Sequence, residues 1–216
     1  MAYNYTKLNP ENAFIWRIVH RDNLPWIFRN GLFCRNSPNF DPNFVSIGNA
    51  DLIDRRATRI VPIAPGGTLS DYIPFYFTPF SPMMYNIYTG RSGVVKRSKE
   101  EICILVTSLH KASKLGVPFV FTDRHAYTQL AQYSSNLADL QNIDWDLLKA
   151  RNFARNPEDP EQIERYQAEA LLYQHLPVAG LIAVICYTEE VKISLEDSAV
   201  SAGVNLDIRV IPKWYF

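Results

Sequence analysis

Cysteine is scarce: the 216 residues contain three, Cys34, Cys103 and Cys186. They are odd in number, widely spaced and form neither a CxxC pair nor a zinc spacing. A disulfide framework is therefore excluded, and reduced thiols of a cytoplasmic protein are expected. Four histidines, His20, His110, His125 and His175, lie too far apart for ligand spacing, so no metal is expected. Long hydrophobic runs are missing as well. The longest, Val178 to Tyr187, is about half of the roughly 18 residues a membrane span needs and reads as a buried strand. The start, Met1 to Lys7, has no apolar signal region, so secretion is not expected. Neither sign of charge is in excess, with 22 basic and 22 acidic side chains. That excludes wrapping duplex DNA by bulk electrostatics and leaves room for a local single-strand groove. GxGxxG, Walker, HExxH and GxSxG motifs are all missing, which removes the common nucleotide-binding, zinc-protease and hydrolase signatures.

What is present is the composition of a packed core, 47% hydrophobic and 13% aromatic, in a length that fits a single domain over 1–216. Phe14 to Val19 is β-branched and aromatic and reads as a first strand. Asp22 is placed to cap a helix over 23–30, with Pro25 in its first turn and Gly31 as its stop. The Asn, Ser, Pro and Phe of 35–50 read as a long irregular loop, of the kind that is usually functional or mobile. A short helix is expected over 49–59, carrying Arg55, Arg56 and Arg59. Strands are expected at 72–77, 102–106, 118–121, 168–173, 181–187 and 205–211. Helical segments are expected up to Gly116, through the polar stretch 123–159 and over 189–200. Strands outnumber long helices and are irregularly interleaved, which predicts an α+β domain.

Three segments carry a specific resemblance. The first is Ile15-Trp-Arg-Ile-Val-His-Arg-Asp-Asn-Leu-Pro-Trp-Ile27, followed by Asn30-Gly-Leu32. The second is Asp54-Arg-Arg56 with Gly66-Gly-Thr-Leu-Ser-Asp-Tyr-Ile-Pro-Phe-Tyr-Phe-Thr-Pro-Phe-Ser-Pro-Met-Met-Tyr85. The third is Val117-Pro-Phe-Val-Phe-Thr-Asp-Arg-His125 with Gln167-Ala-Glu-Ala-Leu-Leu-Tyr173, and the chain closes on Trp214-Tyr-Phe216. In this order the chain resembles the DarT family, DNA ADP-ribosyltransferase toxins of bacterial DarTG toxin–antitoxin systems. The resemblance implies the ADP-ribosyltransferase fold, a split, mostly antiparallel sheet gripping NAD in a cleft. It implies glycosyl (pentosyl) transfer, under the wider label of nucleotidyl transfer, of ADP-ribose to a base in single-stranded DNA. It also implies a macrodomain antitoxin as partner; a monomer is expected, with no metal.

The family places its catalytic glutamate where this chain has Glu169. On pattern alone, Glu169 shares a face with Leu171 and Tyr173 and reads as a solvent-facing residue of an edge strand. Beside the resemblance it is a carboxylate stabilising the positive charge that grows on the anomeric carbon as nicotinamide leaves. Arg55 and Arg56 alone read as a solvated helix face. In relatives an arginine at the position of Arg56 contacts NAD and the target base, with a role in abstracting a proton. Guanidinium stays protonated, so stabilising an anionic base is the physically easier role.

The resemblance assigns NAD binding to the backbone of Arg17, Ile18 and Val19, to His20 and Asn23, to Trp26 and Cys34 on the adenosine side, and to Arg56. Many relatives have histidine where this chain has Arg17. On the DNA side, alternate residues of the aromatic stretch from Tyr72 belong to the core, and Tyr72 and Tyr76 are expected to stack on unpaired bases. Arg124, His125 and Tyr127 open the segment that selects the acceptor. The run Arg91, Lys96, Arg97, Lys99 reads as a solvated turn or a phosphate track. Thymine is the expected acceptor. Guanine, RNA, or a catalytically silent single-strand binding module are the alternatives.

Overall fold

A computed structural model describes residues 8–216; the Met1–Lys7 segment read above for a signal region lies outside them. Among the described residues ten strands are formed: β1 Phe14–His20, β2 Leu32–Phe33, β3 Tyr72–Tyr76, β4 Ile102–Ser108, β5 Phe119–Thr122, β6 Tyr133–Ser134, β7 Glu169–Tyr173, β8 His175–Leu176, β9 Ala183–Cys186 and β10 Asp207–Val210. The helices are α1 Leu24–Asn30, α2 Ala50–Arg56, α3 Pro82–Thr89, α4 Leu109–Lys114, α5 Trp145–Ala150, α6 Gln162–Tyr166 and α7 Glu189–Ser201. Eight strands make one sheet in the order β10-β9-β4-β1-β3-β7-β5-β6, and β2 pairs with β8 beside it. Only β9–β10 is parallel. The architecture is the α+β class expected from the strand spacing.

The middle of this sheet is split. β1 pairs with β4 along all of its length, from Phe14↔Ser108 to His20↔Ile102, but meets β3 at one register, Trp16↔Tyr76. From Arg17 onward β1 has no ladder partner on its β3 side. Pro74 of β3 suits that gap. Its carbonyl faces β1 and accepts from Arg17 Nη1 at 2.8 Å. A residue's N–H and C=O point to the same side of a strand, so the donor that proline lacks would have faced the split and not the β7 ladder.

Apolar strand residues fill the main core, into which the closing Trp214 is buried. The Tyr215 hydroxyl lies 2.9 Å from the Ile102 carbonyl and 3.2 Å from that of Ile185, pinning the end of the chain to β4 and β9. A second, smaller core of Val61, Leu69, Tyr72, Val120, Ala126 and Leu171 lies on the other face.

Local expectations differ in three places. Asp22 does not cap α1: it sits in a 3-10 turn whose cap is His20, with Nδ1 accepting the Asp22 N–H at 3.2 Å. The helix over 49–59 is shorter. The Asn49 side chain caps it through the Leu52 N–H, and it ends at Arg56, leaving Arg59 beyond. The stretch 123–159 is mostly turns, with α5 and a 3-10 segment Leu137–Asn142 as its helices. Its Asn and Asp side chains take the local N–H groups a helix would use: Asn136 from Ala138, Asn152 from Ala154, Asn156 from Glu158. Two further helices, α3 and α6, lie outside the expected helical segments; Ser81 caps α3, Pro82 opens it and Gly90 closes it at φ 74°.

Candidate active site

The split between β1 and β3 opens into a recess of about 730 Å³, partly open to solvent, walled by Arg17, Ile18, Val19, Pro74 and Tyr76 from the strands. Because the β3 side of β1 is unpaired here, its backbone groups are left for a ligand. A second recess continues from the first through Arg17, Phe44, Ile53 and Arg56 toward Phe33, Cys34 and Arg35. The 35–50 loop forms the outer wall of both, with Phe44, Ser46 and Ile47 facing the first recess and Phe40 the second. This loop is tied down. The Asn23 amide donates to the Val45 carbonyl at 3.0 Å and accepts the Val45 N–H at 2.8 Å. Asn36 donates from its backbone to Ser70 and from its side chain to Asp71.

Glu169 stands at one end of the first recess. It begins β7, a strand with β3 and β5 on either side, and is 2% exposed. The edge-strand reading is thus overturned. Strand alternation does put it on the Leu171 face, but that face is covered by the second core and the segment beginning at His125. Arg56 Nη1 lies 3.0 Å from Glu169 Oε2, and the Ala126 N–H donates to Oε1 at 3.0 Å. His125 Nε2 is 3.9 Å from Oε1. Its Nδ1 accepts the Tyr127 N–H at 3.2 Å, which in the neutral ring leaves the proton on Nε2, toward the carboxylate. Burial alone would push the Glu169 pKa up. Arg56, His125 and the Ala126 N–H outweigh it, so the carboxyl sits below its ordinary range and is ionised at neutral pH.

Arg56 is likewise no solvated helix residue. Its side chain is 12% exposed, and while Nη1 engages Glu169, Nη2 is buried without a hydrogen-bond partner. Arg17, 57 residues before Pro74, spends Nη1 on that carbonyl and leaves Nε buried and unpartnered. Burial, with the repulsion of Arg56, pulls the Arg17 pKa down to about 10, still cationic at neutral pH. Two guanidinium edges lining one recess thus hold donors for which the protein supplies no acceptor. Unsatisfied buried donors are costly and rare. They fit a ligand rich in phosphate, ribose and carboxamide oxygens, as NAD is.

The expected residues therefore separate. Arg17, Ile18, Val19, Arg56, Tyr76, His125 and Glu169 come together around the first recess, and Cys34 lines the second. His125, expected on the DNA side, lies at the Glu169 carboxylate. Burial raises the Cys34 pKa, so it stays a thiol. His20 does not face the recess; it is held between the Asp22 N–H and Glu101, with Nε2 at 3.4 Å from the carboxylate. Asn23 spends its amide on Val45 and acts on the site through the loop. Trp26 packs edge-on against Phe33 at 5.8 Å and reaches the second recess only through that ring. Tyr72 is corrected from a base-stacking residue to a core one: it is 2% exposed and donates to the Gly66 carbonyl at 2.7 Å. Arg124 is occupied by Asp123 and Glu161, and the Tyr127 ring lies under Arg55 at 5.7 Å. The Arg97 and Lys99 end of the basic run is also engaged, with Glu101 and with the rings of Tyr88 and Tyr187. Among the described residues no group of three His, Cys, Asp or Glu side chains could hold a metal ion.

Sequence reasoning missed the supports of the Glu169 loop. Arg59 Nη2 donates to the Thr128 carbonyl at 2.7 Å, and the Tyr133 hydroxyl bonds to the Ala126 carbonyl. These partners are up to 69 residues apart, so no local pattern announces them. The Asn23 clamp makes a direct prediction. Asn23→Ala removes two hydrogen bonds to Val45, so the loop must be ordered by the ligand. Its KM for NAD is expected to rise about tenfold or more with kcat nearly unchanged. Steady-state kinetics check this, and an unchanged KM would contradict the role.

The comparisons with known proteins agree with this geometry. Residues 16–216 match the family model described as "ssDNA thymidine ADP-ribosyltransferase, DarT". A DNA ADP-ribosyl transferase of Escherichia coli O127:H6 (strain E2348/69 / EPEC) is 52% identical over 217 aligned residues, covering 100% of both chains. The structure of Thermus sp. 2.9 DarT in complex with ADP-ribosylated ssDNA superposes with a TM-score of 0.87 at 34% identity, covering 96% of this chain and 98% of that one. The same protein in complex with NAD+ gives 0.82 at 34% identity, covering 96% and 99%. The split sheet is thus the ADP-ribosyltransferase fold, and the chain belongs to the DarT family.

Proposed function

We propose that this chain transfers one ADP-ribose from NAD to thymine in single-stranded DNA, with Glu169 and Arg56 as its catalytic residues. The observation that carries this reading is the buried Glu169–Arg56 pair at the end of a split-sheet recess, where guanidinium donors lack partners. The unpaired edge of β1 at Arg17 to Val19 fixes the nicotinamide carboxamide, as a strand edge fixes a peptide. Arg17 and Arg56 supply charge and donors to the ribose–diphosphate portion. The adenosine end extends along the second recess by Phe33 and Cys34.

As the nicotinamide–ribose bond breaks, positive charge grows on the anomeric carbon. Glu169, held ionised by its neighbours, stabilises that charge more than it does the ground state, in which the charge lies on the pyridinium ring. Thymine N3 forms the new C–N bond and loses its proton to solvent. Arg56 remains protonated and stabilises the anionic ring. The diphosphate passes through intact, so the reaction is glycosyl transfer; nucleotidyl transfer, which acts at phosphorus, does not describe it. Tyr76, His125 and Tyr127 lie at or beside the Glu169 end, where the base must enter.

The finer features are part of the same proposal. Residues 1–216 act as one domain, a reading supported by eight of the ten strands, from β1 to β10, sharing one sheet, and the enzyme acts as a monomer. Among the described residues no helix is long and apolar enough to cross a membrane; a cytoplasmic location is part of the proposal and is supported by the DNA substrate. An enzyme that blocks replication needs a partner that reverses it, and a macrodomain antitoxin supplies that hydrolysis.

The test is mass spectrometry of single-stranded oligonucleotides, each lacking one base type, after incubation with NAD and the protein. Gain of one ADP-ribose on all but the thymine-free strand is expected. Loss only without guanine overturns the acceptor, and no gain on any DNA overturns the function. Duplex DNA is expected to be a poor substrate because its acceptor edge is paired.

A further inference from the structure

Glu169 is met on one side by a turn, His125 to Thr128, closed by the Thr128 N–H donating to the His125 carbonyl at 3.0 Å. The turn brings the Ala126 N–H to 3.0 Å from Glu169 Oε1 and His125 Nε2 to 3.9 Å from the same oxygen. It belongs to the connection between β5 and β6, which pair only at Phe121↔Ser134 and Thr122↔Tyr133, with β6 at the edge of the sheet. So short a ladder does not by itself fix the loop it closes.

Two side chains brace it. The Tyr133 hydroxyl donates to the Ala126 carbonyl, and Arg59 Nη2 donates to the Thr128 carbonyl at 2.7 Å. The two are also neighbours: burial raises the Tyr133 pKa, and the adjacent Arg59 charge opposes that rise. Both start from fixed points. The Arg59 N–H donates to the Arg56 carbonyl at 3.3 Å, and its own carbonyl accepts the N–H of Leu69, a residue of the second core, at 2.9 Å. The Tyr133 ring packs on that same core.

Neither residue lines the recesses. Among the described residues Arg59 has no carboxylate partner, and its Nε is buried without a hydrogen-bond partner. A guanidinium desolvated for the sake of one loop carbonyl is costly packing. What the loop carries accounts for it. Arg56 grips the Glu169 carboxylate at 3.0 Å, and Arg59, three residues on, grips the turn that faces the same carboxylate.

We propose that Arg59 and Tyr133 are positioning residues for the transfer step, holding the His125–Thr128 turn so that the Ala126 N–H and His125 stay on Glu169. This rests on the function proposed above. The two residues act through the turn on the rate of transfer, and leave NAD binding to the recess.

The experiment measures labelling of a thymine-containing single strand by Tyr133→Phe, Arg59→Ala, Arg59→Lys and the Arg59→Ala/Tyr133→Phe double variant. Tyr133→Phe removes one hydroxyl and keeps the ring in its core, so it tests the brace even if Arg59→Ala does not fold. In both single variants kcat is expected to fall about ten- to a hundredfold, the scale of a small displacement at a catalytic group. KM for NAD stays within about twofold of the wild type. Arg59→Lys keeps a donor for Thr128 and recovers part of the rate. Because both residues act through one turn, the double variant falls little below the worse single one.

The pH–rate profile supplies a readout that loose packing alone would not move. Burial pushes the Glu169 pKa up, while Arg56, His125 and the Ala126 N–H hold it down; the uncharged hydroxyls of Tyr76 and Tyr133 face it as well. Loosening the turn withdraws two of those three supports. The acid limb therefore moves upward in Tyr133→Phe, although no charge has been removed. An unchanged kcat in Tyr133→Phe, or an acid limb that stays in place, overturns the brace while leaving the function standing. So does a KM for NAD that rises as much as kcat falls, because the recess itself has then loosened. Failure of the wild type to label any DNA overturns the function itself.

Discussion

Glu169→Gln is expected to lower kcat for DNA labelling by at least about 10²–10³-fold, the scale of removing one fixed electrostatic stabiliser from a dry site. The substitution keeps nearly the same shape. The Gln carbonyl still accepts the Ala126 N–H, which lies 3.0 Å from Oε1 in the native protein, so the loop carrying His125 stays in place. What is lost is the negative charge. KM for NAD is therefore expected to change by much less than kcat, because ground-state NAD carries little charge at the anomeric carbon for Glu169 to meet. Glu169→Ala, which removes the acceptor as well, is expected to abolish labelling. Oligonucleotide labelling rates, with a thermal melt to confirm folding, check both variants. Retention of more than a few per cent of activity in either would remove Glu169 as the catalytic carboxylate.

Arg56→Ala is the second large effect, and it acts on two groups at once. It removes the cation proposed to face the thymine ring, and it strips Glu169 of its principal counter-charge at 3.0 Å. Transfer is expected to fall by about 10²–10³-fold, with a smaller rise in KM for NAD. Arg56→Lys keeps the charge, loses the two-pronged geometry and is expected to recover part of the rate. Burial pushes the Glu169 pKa up and Arg56 is the leading force holding it down. In Arg56→Ala the acid limb of the pH–rate profile is therefore expected to move upward.

Stability follows the same sign. A depressed carboxylate pKa contributes stability that is fully present above the unfolded value, about 4.3, and is lost as pH falls through the folded one. The wild type is expected to lose that contribution on acidification, and Arg56→Ala to have little of it to lose. Chemical denaturation at a series of pH values separates the two. An unchanged acid limb together with an unchanged rate would sink the role given to Arg56.

The sequence by itself determined the elements whose signals are local. The β-branched run at 14–19 became β1, the apolar run near 183–186 became β9, and Glu189–Ser201 became α7, capped by Thr188. The α+β class followed from strand number and spacing, and the family motifs marked Glu169 and Arg56 as a pair 113 residues apart. The polar stretch after Asp123 was misread because its Asn and Asp side chains bond the backbone locally, which composition and weak periodicity do not reveal.

Tertiary structure alone decided what those residues are. Alternation placed Glu169 on the Leu171 face correctly, but whether that face meets water depends on which strands flank β7 and which loop covers it. Arg56 reads as solvated on its helix, and is buried where its side chain meets Glu169 at the start of β7. Tyr72 looked available to a base until Gly66 took its hydroxyl. Asn23 looked like a ligand contact until both ends of its amide were found on Val45. The split of the sheet, which makes the recess, is a failure of β1 and β3 to pair beyond Trp16↔Tyr76. Pro74 suits the gap but does not by itself dictate it: pairing is a property of two segments far apart in the chain, and burial is a property of everything that packs on them.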